Sequence, residues 1–307
     1  MTSTTQRLPA WLRNPVSKNV AHKTMRSKLA SDLHTVCESA LCPNRGECFS
    51  SGTVTFMILG NTCTRNCTFC AVDNNRKSAC SALDPDEPNQ VAKAAVDLKL
   101  KHIVITSVTR DDLPDQGASQ FAKTIEAVRT LLPDSTIEVL TPDFNGREDL
   151  LDIVLSQRPT VFNHNVETVP RLYPQIRPQA DYRQSLGVLQ YANDYQESTG
   201  LGGHAGGGHA GGGHIGPPLR TKSGFMLGLG ETRDEVVQVL EDLKAVGTDL
   251  VTIGQYIAPS RRHTAVVEYV HPDQFAEYKQ IGEQLGIPFV FSGPLVRSSY
   301  HAGEVFQ

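Results

Sequence analysis

Long apolar runs are missing from this chain. No uninterrupted stretch of its 307 residues approaches the roughly 18 that a membrane-spanning helix needs, so no span is expected. An excess of positive charge is missing too. Against 29 Lys and Arg stand 33 Asp and Glu, a formal net charge of −4, which leaves no bulk electrostatic case for nucleic-acid binding. Cysteine is scarce, and its seven residues lack the even, dispersed arrangement of a disulfide framework: six of them fall into two groups of three. Neither group can pair off internally, and neither completes a four-cysteine zinc site. With no signal-peptide pattern and thiols this clustered, a reducing compartment is expected, and with it a cytoplasmic protein.

Acidic residues are nearly absent from the first 36 positions. Arg7, Arg13, Lys18, Lys23, Arg26 and Lys28 face a single acid, Asp32. Such arms are organelle transit peptides in some proteins, solvated wrapping segments in others, and docking surfaces for acidic partners in others again. The Pro9-Ala10-Trp11-Leu12-Arg13 segment reads as a structural anchor rather than a disposable leader.

From Thr53 onward, strands and helices alternate. β-rich runs lie at Val54–Leu59, His102–Ser107, Thr136–Leu140, Val161–Val166, Gly224–Gly228, Leu250–Tyr256 and Pro288–Phe291. Helical patterns, apolar at spacings of three and four, fall around Val91–Leu98, Phe121–Leu132, Leu150–Leu155, Tyr182–Tyr195 and Val236–Val246, and after His271 up to a stop at Gly286. The alternation predicts parallel strands with right-handed crossovers. An incomplete, splayed barrel and an open doubly wound sheet both fit, and in either the chemistry collects beyond the C-terminal ends of the strands. The segment Gly200–Pro218, GLGGHAGGGHAGGGHIGPP, breaks the pattern and reads as a flexible insertion, its His204, His209 and His214 able at most to grip a transition metal weakly.

Immediately after the first parallel strand comes CTRNCTFC, with Cys63, Cys67 and Cys70 spaced C-x3-C-x2-C. Three thiolates within eight residues can wrap one 4Fe–4S cube and leave its fourth iron without a protein ligand, open to a molecule carrying an amine and a carboxylate. Zinc held by the same thiolates and a distant histidine is the alternative, although zinc loops favour C-x2-C pairs. The motif resembles the signature loop of the radical S-adenosylmethionine enzymes. That resemblance implies that the open iron binds S-adenosylmethionine, whose reductive cleavage yields a 5′-deoxyadenosyl radical.

Upstream, CESALCPNRGEC places Cys37, Cys42 and Cys48 at C-x4-C-x5-C, and the tail reads LVRSSYHAG, Leu295 to Gly303. Together these resemble the lipoyl synthases, a narrower group within that superfamily. Further matching stretches are LPAWLR from Leu8, TSVTRDDLPDQGA from Thr106, FNHNVETVPRLYPQIRP from Phe162, KSGFMLGLGET from Lys222 and IAPSRRHTAVVEYVHP from Ile257. Ala258 departs from this pattern where a polar residue is expected, and the Gly/His insertion is the other departure.

The resemblance implies an incomplete (β/α)6-type, TIM-like α/β barrel over residues 53–294. An N-terminal extension, 1–52, bears the upstream cysteines, and a C-terminal tail, 295–307, caps the site. It implies a second 4Fe–4S cluster on Cys37, Cys42, Cys48 and Ser299, with Ser298 the lesser choice, and Ser299 and Arg297 as catalytic residues. Alkoxide matches iron less well than thiolate, so a serine-held corner suits a cluster meant to be dismantled as a sulfur store. The reaction implied is insertion of two sulfurs at C6 and C8 of an octanoyl chain. Its partners would be octanoylated lipoyl carrier domains (E2 subunits of 2-oxoacid dehydrogenases, the glycine cleavage H protein), a flavodoxin or ferredoxin, and an iron–sulfur carrier protein.

By position at strand ends, Thr106, Ser107, Arg110, Asn165 and Glu167 are expected around S-adenosylmethionine, with Arg110 suited to its carboxylate. Arg261 and His263 are candidate substrate-side contacts, and Cys80 reads as a free thiol.

Overall fold

The computed structural model describes residues 8–13, 33–40, 42, 44, 48, 53–74, 80, 82–199 and 219–299. Most of the basic arm, the 200–218 insertion and everything beyond 299 lie outside the described residues. Seven parallel strands follow the β-rich runs: β2 (Thr55–Ile58), β3 (His102–Ser107), β4 (Thr136–Leu140), β5 (Val161–Asn163), β6 (Arg220–Leu227), β7 (Leu250–Gln255) and β8 (Phe289–Gly293). A two-residue strand, β1 (His34–Thr35), pairs antiparallel with β2 and was not foreseen from its composition.

The helices are α1 (Val36–Ser39), α2 (Glu87–Asp97), α3 (Ala118–Leu131), α4 (Glu148–Leu155), α5 (Tyr173–Ile176), α6 (Tyr182–Ser198), α7 (Arg233–Ala245) and α8 (Pro272–Gln284). Their starts follow from side-chain chemistry. Thr232 accepts from the Glu235 N–H at 3.3 Å while Glu235 accepts from the Thr232 N–H at 2.7 Å, a reciprocal cap on α7. Asp181 accepts from the Gln184 N–H at 2.8 Å and opens α6. Gly286, at φ +85°, ends the last helix in the left-handed conformation that favours glycine.

Strand order decides between the two architectures. β1 to β8 pair strictly in sequence, and every pair from β2 to β8 is parallel. A doubly wound sheet reverses its progression at a switch point, whereas this order never reverses. The helices therefore wrap one face, and the sheet curls into an incomplete barrel. Among the described residues no ladder joins β8 to β1 or β2, so the barrel stays unclosed by backbone pairing.

The two faces of the sheet differ sharply. Outward residues Phe56, Ile58, Ile103, Ile105, Ile137, Val139 and Phe162 pack with Val91, Phe121, Ile125, Leu151 and Val154 of the helices in one core cluster. Phe225, Val251, Ile253 and Val290 continue it as a second cluster beneath α7 and α8. Among the alternate, inward residues a buried polar group stands out beside the apolar Met57, Val104 and Leu250. Lys222 Nζ reaches both Glu138 carboxylate oxygens, at 2.9 and 3.0 Å, Asn163 Nδ2 donates to Oε1 at 2.9 Å, and His102 Nε2 lies 3.6 Å from Oε2. Lys222 and Glu138 expose only 3% and 1% of their side chains, so each charge depends on the other. Burial alone would raise the Glu138 carboxyl, but the Lys222 ammonium and the two neighbours outweigh it and hold it near 2, against an ordinary 4.5.

Ionisation of Glu138 thus stabilises the fold at pH above about 4.5, and the gain is lost as pH falls through about 2. Replacing Lys222 by Met strands the carboxylate in the barrel and is expected to cost about 3–5 kcal/mol at pH 8. The pH dependence then inverts, because an unpaired buried carboxyl prefers its proton and stability falls as pH rises. Urea unfolding of the cluster-free protein at pH 5 and pH 8 measures both effects.

Candidate active site

The loop after β2 carries Cys63, Cys67 and Cys70, and it is tied down from four directions. Arg65 makes the deepest anchor. Its guanidinium forks onto Asp111 at 2.9 and 3.0 Å and onto Asp143 at 2.7 and 2.8 Å, with Asn145 Oδ1 at 3.0 Å. Asp111 follows β3 and Asp143 follows β4, so one side chain binds the cysteine loop to the tips of the next two strands. Burial would raise Asp143, yet the Arg65 hydrogen bonds hold it near 2; Arg65 is held even more firmly charged than usual.

Thr68 ties the loop to the C-terminal end of α5, its N–H donating to the Ile176 carbonyl at 2.9 Å. It also meets the segment after β7: the Thr264 N–H donates to the Thr68 carbonyl at 3.0 Å, and the two threonine hydroxyls lie 2.6 Å apart. His263 Nε2 donates to the Cys70 carbonyl at 3.0 Å, leaving Nδ1 to accept from Ser260 Oγ at 2.9 Å. His263 thus braces the cysteine loop itself, while Arg261 is exposed. Ala258, where a polar residue was expected, packs against the second hydrophobic cluster.

Of the residues expected around S-adenosylmethionine, two already have full local partners. Thr106 Oγ1 donates to the Leu140 carbonyl at 2.8 Å. Arg110 forks onto Asp112 at 2.8 Å through Nε and Nη2 and reaches the Leu59 carbonyl at 3.3 Å through Nη1. The other three retain free capacity among the described residues. Ser107 Oγ and Asn165 Oδ1 are buried without partners, and Asn165 Nδ2 donates to Glu167 Oε1 at 3.1 Å. Glu167 stands at φ +65°, a left-handed backbone costing on the order of 1–3 kcal/mol, locked by its N–H to the Gly224 carbonyl and its carbonyl from the Met226 N–H, both 2.9 Å. Burial pushes its carboxyl up, against the pull of Arg177 and Asn165.

Two further residues were not singled out from the sequence. Arg177, buried beneath the rim, donates to the Asn165 carbonyl at 3.0 Å and the Tyr173 hydroxyl at 3.1 Å, and its charge acts on both Glu167 and Cys67. Its Nε has no partner among the described residues. His164 Nδ1 donates to the Thr141 carbonyl at 2.9 Å, which fixes the tautomer and leaves a buried, unpartnered Nε2 acceptor. Burial, then the Arg177 charge, lowers His164 to about 4, so the ring is neutral near pH 7. Both lie within FNHNVETVPRLYPQIRP, where the histidine between Asn163 and Asn165 just past β5 was the available signal for His164 and nothing local marked Arg177.

The second group of cysteines sits at the opposite end of β2. Thr35 caps α1 by accepting from the Glu38 N–H at 3.3 Å, and α1 carries Cys37. The Cys42 N–H donates to the Cys37 carbonyl at 3.2 Å, and the Cys48 N–H to the Asn44 carbonyl at 2.9 Å. Burial pushes the Cys37 thiol up to about 11; the Thr55 backbone N–H hydrogen-bonds to it, and the Cys42 sulfur adds to the local negative field.

The C-terminal tail reaches this group from β8. Asn44, wholly buried, donates from Nδ2 to the Leu295 carbonyl at 2.5 Å. Gly254 lets the tail approach, since a Cβ there would stand 2.1 Å from the Val296 carbonyl oxygen. Arg297 Nη1 donates to that oxygen at 2.6 Å, and its guanidinium lies within the field of Cys42. Thr55 Oγ1 donates to Ser299 Oγ at 2.9 Å. Pro43, Gly46 and Glu47 of the motif lie outside the described residues.

Among the described residues no three thiol, imidazole or carboxylate groups stand at ready metal-ligand spacing. The donor chemistry nonetheless fits iron–sulfur clusters. Cys63, Cys67 and Cys70 lie in one another's field on a single loop, and Cys37 and Cys42 likewise near Arg297. Beside the loop, the unpartnered Ser107 Oγ, His164 Nε2, Asn165 Oδ1 and Arg177 Nε form a polar rim suited to a ligand rich in donors and acceptors.

A thiol-bearing loop after the first parallel strand of an incomplete barrel defines a class, and the family model for the Radical SAM superfamily matches residues 57–243. HydG, a maturase of the FeFe-hydrogenase, shares the fold at a TM-score of 0.56 and 13% identity over 76% of this chain and 50% of that one. Among curated proteins, the lipoyl synthase of Oleidesulfovibrio alaskensis is 52% identical over 98% of this chain and 95% of its own. That of Caldanaerobacter subterraneus subsp. tengcongensis is 49% identical over 97% and 96%. The chain belongs to the radical S-adenosylmethionine superfamily and, within it, to the lipoyl synthases: it is a sulfurtransferase enzyme that uses S-adenosylmethionine and a 4Fe–4S cluster.

Arg65→Lys keeps the charge but loses the fork. It is expected to lower the stability of the cluster-free protein by about 1.5–3 kcal/mol, read by urea unfolding. Iron retained on the CTRNCTFC loop should fall with it, read by iron analysis in a protein lacking Cys37, Cys42 and Cys48.

Proposed function

We propose that Cys63, Cys67 and Cys70 hold the cluster that binds S-adenosylmethionine, and that Cys37, Cys42, Cys48 and Ser299 hold a second 4Fe–4S cluster whose sulfide is the sulfur source. The substrate is an octanoyl chain amide-linked to a lysine of a lipoyl carrier domain, sulfurated at C6 and C8. The observation that carries this reading is the arrival of the C-terminal tail at the upstream cysteines, with Ser299 bonded to Thr55 whose backbone N–H meets Cys37.

When bound, S-adenosylmethionine on the reduced cluster supplies a 5′-deoxyadenosyl radical that removes hydrogen from an unactivated carbon. The chain's own residues bind, orient and exclude water. Arg65 and Thr68 hold the cysteine loop against the strand tips. Ser107, Asn165 and Glu167 offer acceptors and donors for ribose and amino-acid groups, and Arg177 supports the backbone that presents them. Thr106 and Arg110 act one layer back, through Leu140 and Asp112. Arg297 sets a positive charge beside Cys42.

In this reading residues 53–294 carry the first cluster, while 1–52 and 295–307 supply the second. The carriers are E2 subunits of 2-oxoacid dehydrogenases and the glycine cleavage H protein; a flavodoxin or ferredoxin delivers electrons, and an iron–sulfur carrier rebuilds the second cluster. The setting is the cytoplasm. Among the described residues no helix is long and apolar enough to cross a membrane.

Anaerobically reconstituted protein is expected to hold roughly eight irons as two cubes by Mössbauer spectroscopy. In a single turnover with an octanoylated carrier peptide, one cube should disappear as dithiolated peptide forms. Cys37→Ala should still cleave S-adenosylmethionine yet form no carbon–sulfur bond. Sulfur transfer with both cubes intact would overturn the donor assignment, and zinc without iron would overturn both clusters.

A further inference from the structure

Thr55 is the first residue of β2 and is 3% exposed. It touches two members of the upstream ligand set by different groups: its backbone N–H bonds to the Cys37 thiol, and its hydroxyl donates to Ser299 Oγ at 2.9 Å. A buried threonine at a strand position ordinarily satisfies its hydroxyl on a nearby carbonyl, as Thr106 does on Leu140 in the neighbouring strand. Thr55 instead donates to a side-chain oxygen 244 residues away.

The tail does not need this bond to stay in place. Asn44 holds the Leu295 carbonyl at 2.5 Å, the Val296 N–H donates to the Gly293 carbonyl at 3.1 Å, and Gly254 receives the Val296 backbone. The Thr55 hydroxyl therefore acts on the Ser299 oxygen specifically. Because Ser299 accepts there, its own hydrogen points elsewhere, and that hydrogen is the one lost when the oxygen binds a metal.

We propose that Thr55 is a positioning residue for the serine ligand: its hydroxyl orients Ser299 Oγ and draws charge from it, making the serine-held iron easier to reduce and to release than an undamped alkoxide would allow. A donor hydrogen bond to a ligand atom stabilises the more negative, reduced state of a cluster and weakens the ligand's hold on iron. The effect falls on the one corner that differs chemically from the other three. This inference rests on Ser299 being a ligand.

The test uses full-length protein in which Cys63, Cys67 and Cys70 are Ala, so that only the upstream cluster assembles. Thr55→Val keeps shape without a donor, Thr55→Ser keeps the donor, and Thr55→Ala replaces Val should Val block assembly. In an EPR-monitored redox titration, Thr55→Val is expected to move the midpoint to more negative potential, with Thr55→Ser matching the parent. Release of iron to a ferrous chelator under reduction should slow by roughly tenfold in Thr55→Val and recover in Thr55→Ser. Midpoints and release rates that are the same in all three overturn the role of Thr55. A Ser299→Ala protein separates the two ideas: if its Mössbauer spectrum and midpoint equal the parent's, the serine ligand itself is refuted, whereas a change there with none in Thr55→Val refutes Thr55 alone.

Discussion

Everything at the rim of this barrel depends on one guanidinium. Arg65 sits inside the cysteine loop and binds two carboxylates that arrive on different strand ends, Asp111 after β3 and Asp143 after β4. Arginine alone suits the position, because its planar fork can serve both carboxylates and Asn145 at once while the charge stays fully developed. A buried Asp143 without that partner would be an uncompensated charge, so loop and strand tips are held in register by mutual need rather than by apolar packing. The thiols inherit their placement from this anchor, and so does the polar rim that faces them.

The same logic operates where the tail after β8 meets the start of β2. Backbone ladders do not close the sheet between β8 and β2 among the described residues, and the join is made by polar side chains: Asn44 to the Leu295 carbonyl, Thr55 to Ser299. A closure built from a few hydrogen bonds leaves room beside it for cysteines and a reacting group, which a continuous ladder would fill. The interior agrees with this design. Glu138, Lys222, Asn163 and His102 occupy the inner face where an ordinary barrel packs branched apolar residues, and their mutual neutralisation is what makes so polar a lumen tolerable.

How much was legible beforehand differs by element. All seven parallel strands and the six longer helices were readable because composition and spacing are local: the β-rich run HIVITS, or apolar residues three and four apart from Phe121 to Leu132, carries its structure within a few residues. The two-residue β1 was not readable, since a pair of residues has no period. Barrel and doubly wound sheet were indistinguishable from the alternation itself, because both use the same local units and differ only in which strands become neighbours. At the site, Ser107, Asn165 and Glu167 keep free groups at the rim, as position at a strand end suggests, whereas Thr106 and Arg110 turn out to serve Leu140 and Asp112. Arg65, His164 and Arg177 were visible in the motifs but not as partners, since nothing in their spacing tells which carboxylate or carbonyl they meet.

By itself the sequence determined the alternating elements, the two groups of thiols and the residues at each strand end, because each follows from chemistry among near neighbours along the chain. Only the tertiary structure decided that Arg65 meets Asp143, that Arg177 acts on both Glu167 and Cys67, and that Thr55 meets Ser299 across 244 residues. Those contacts depend on the curl of the sheet summed over every strand, and no local stretch of chain contains that sum.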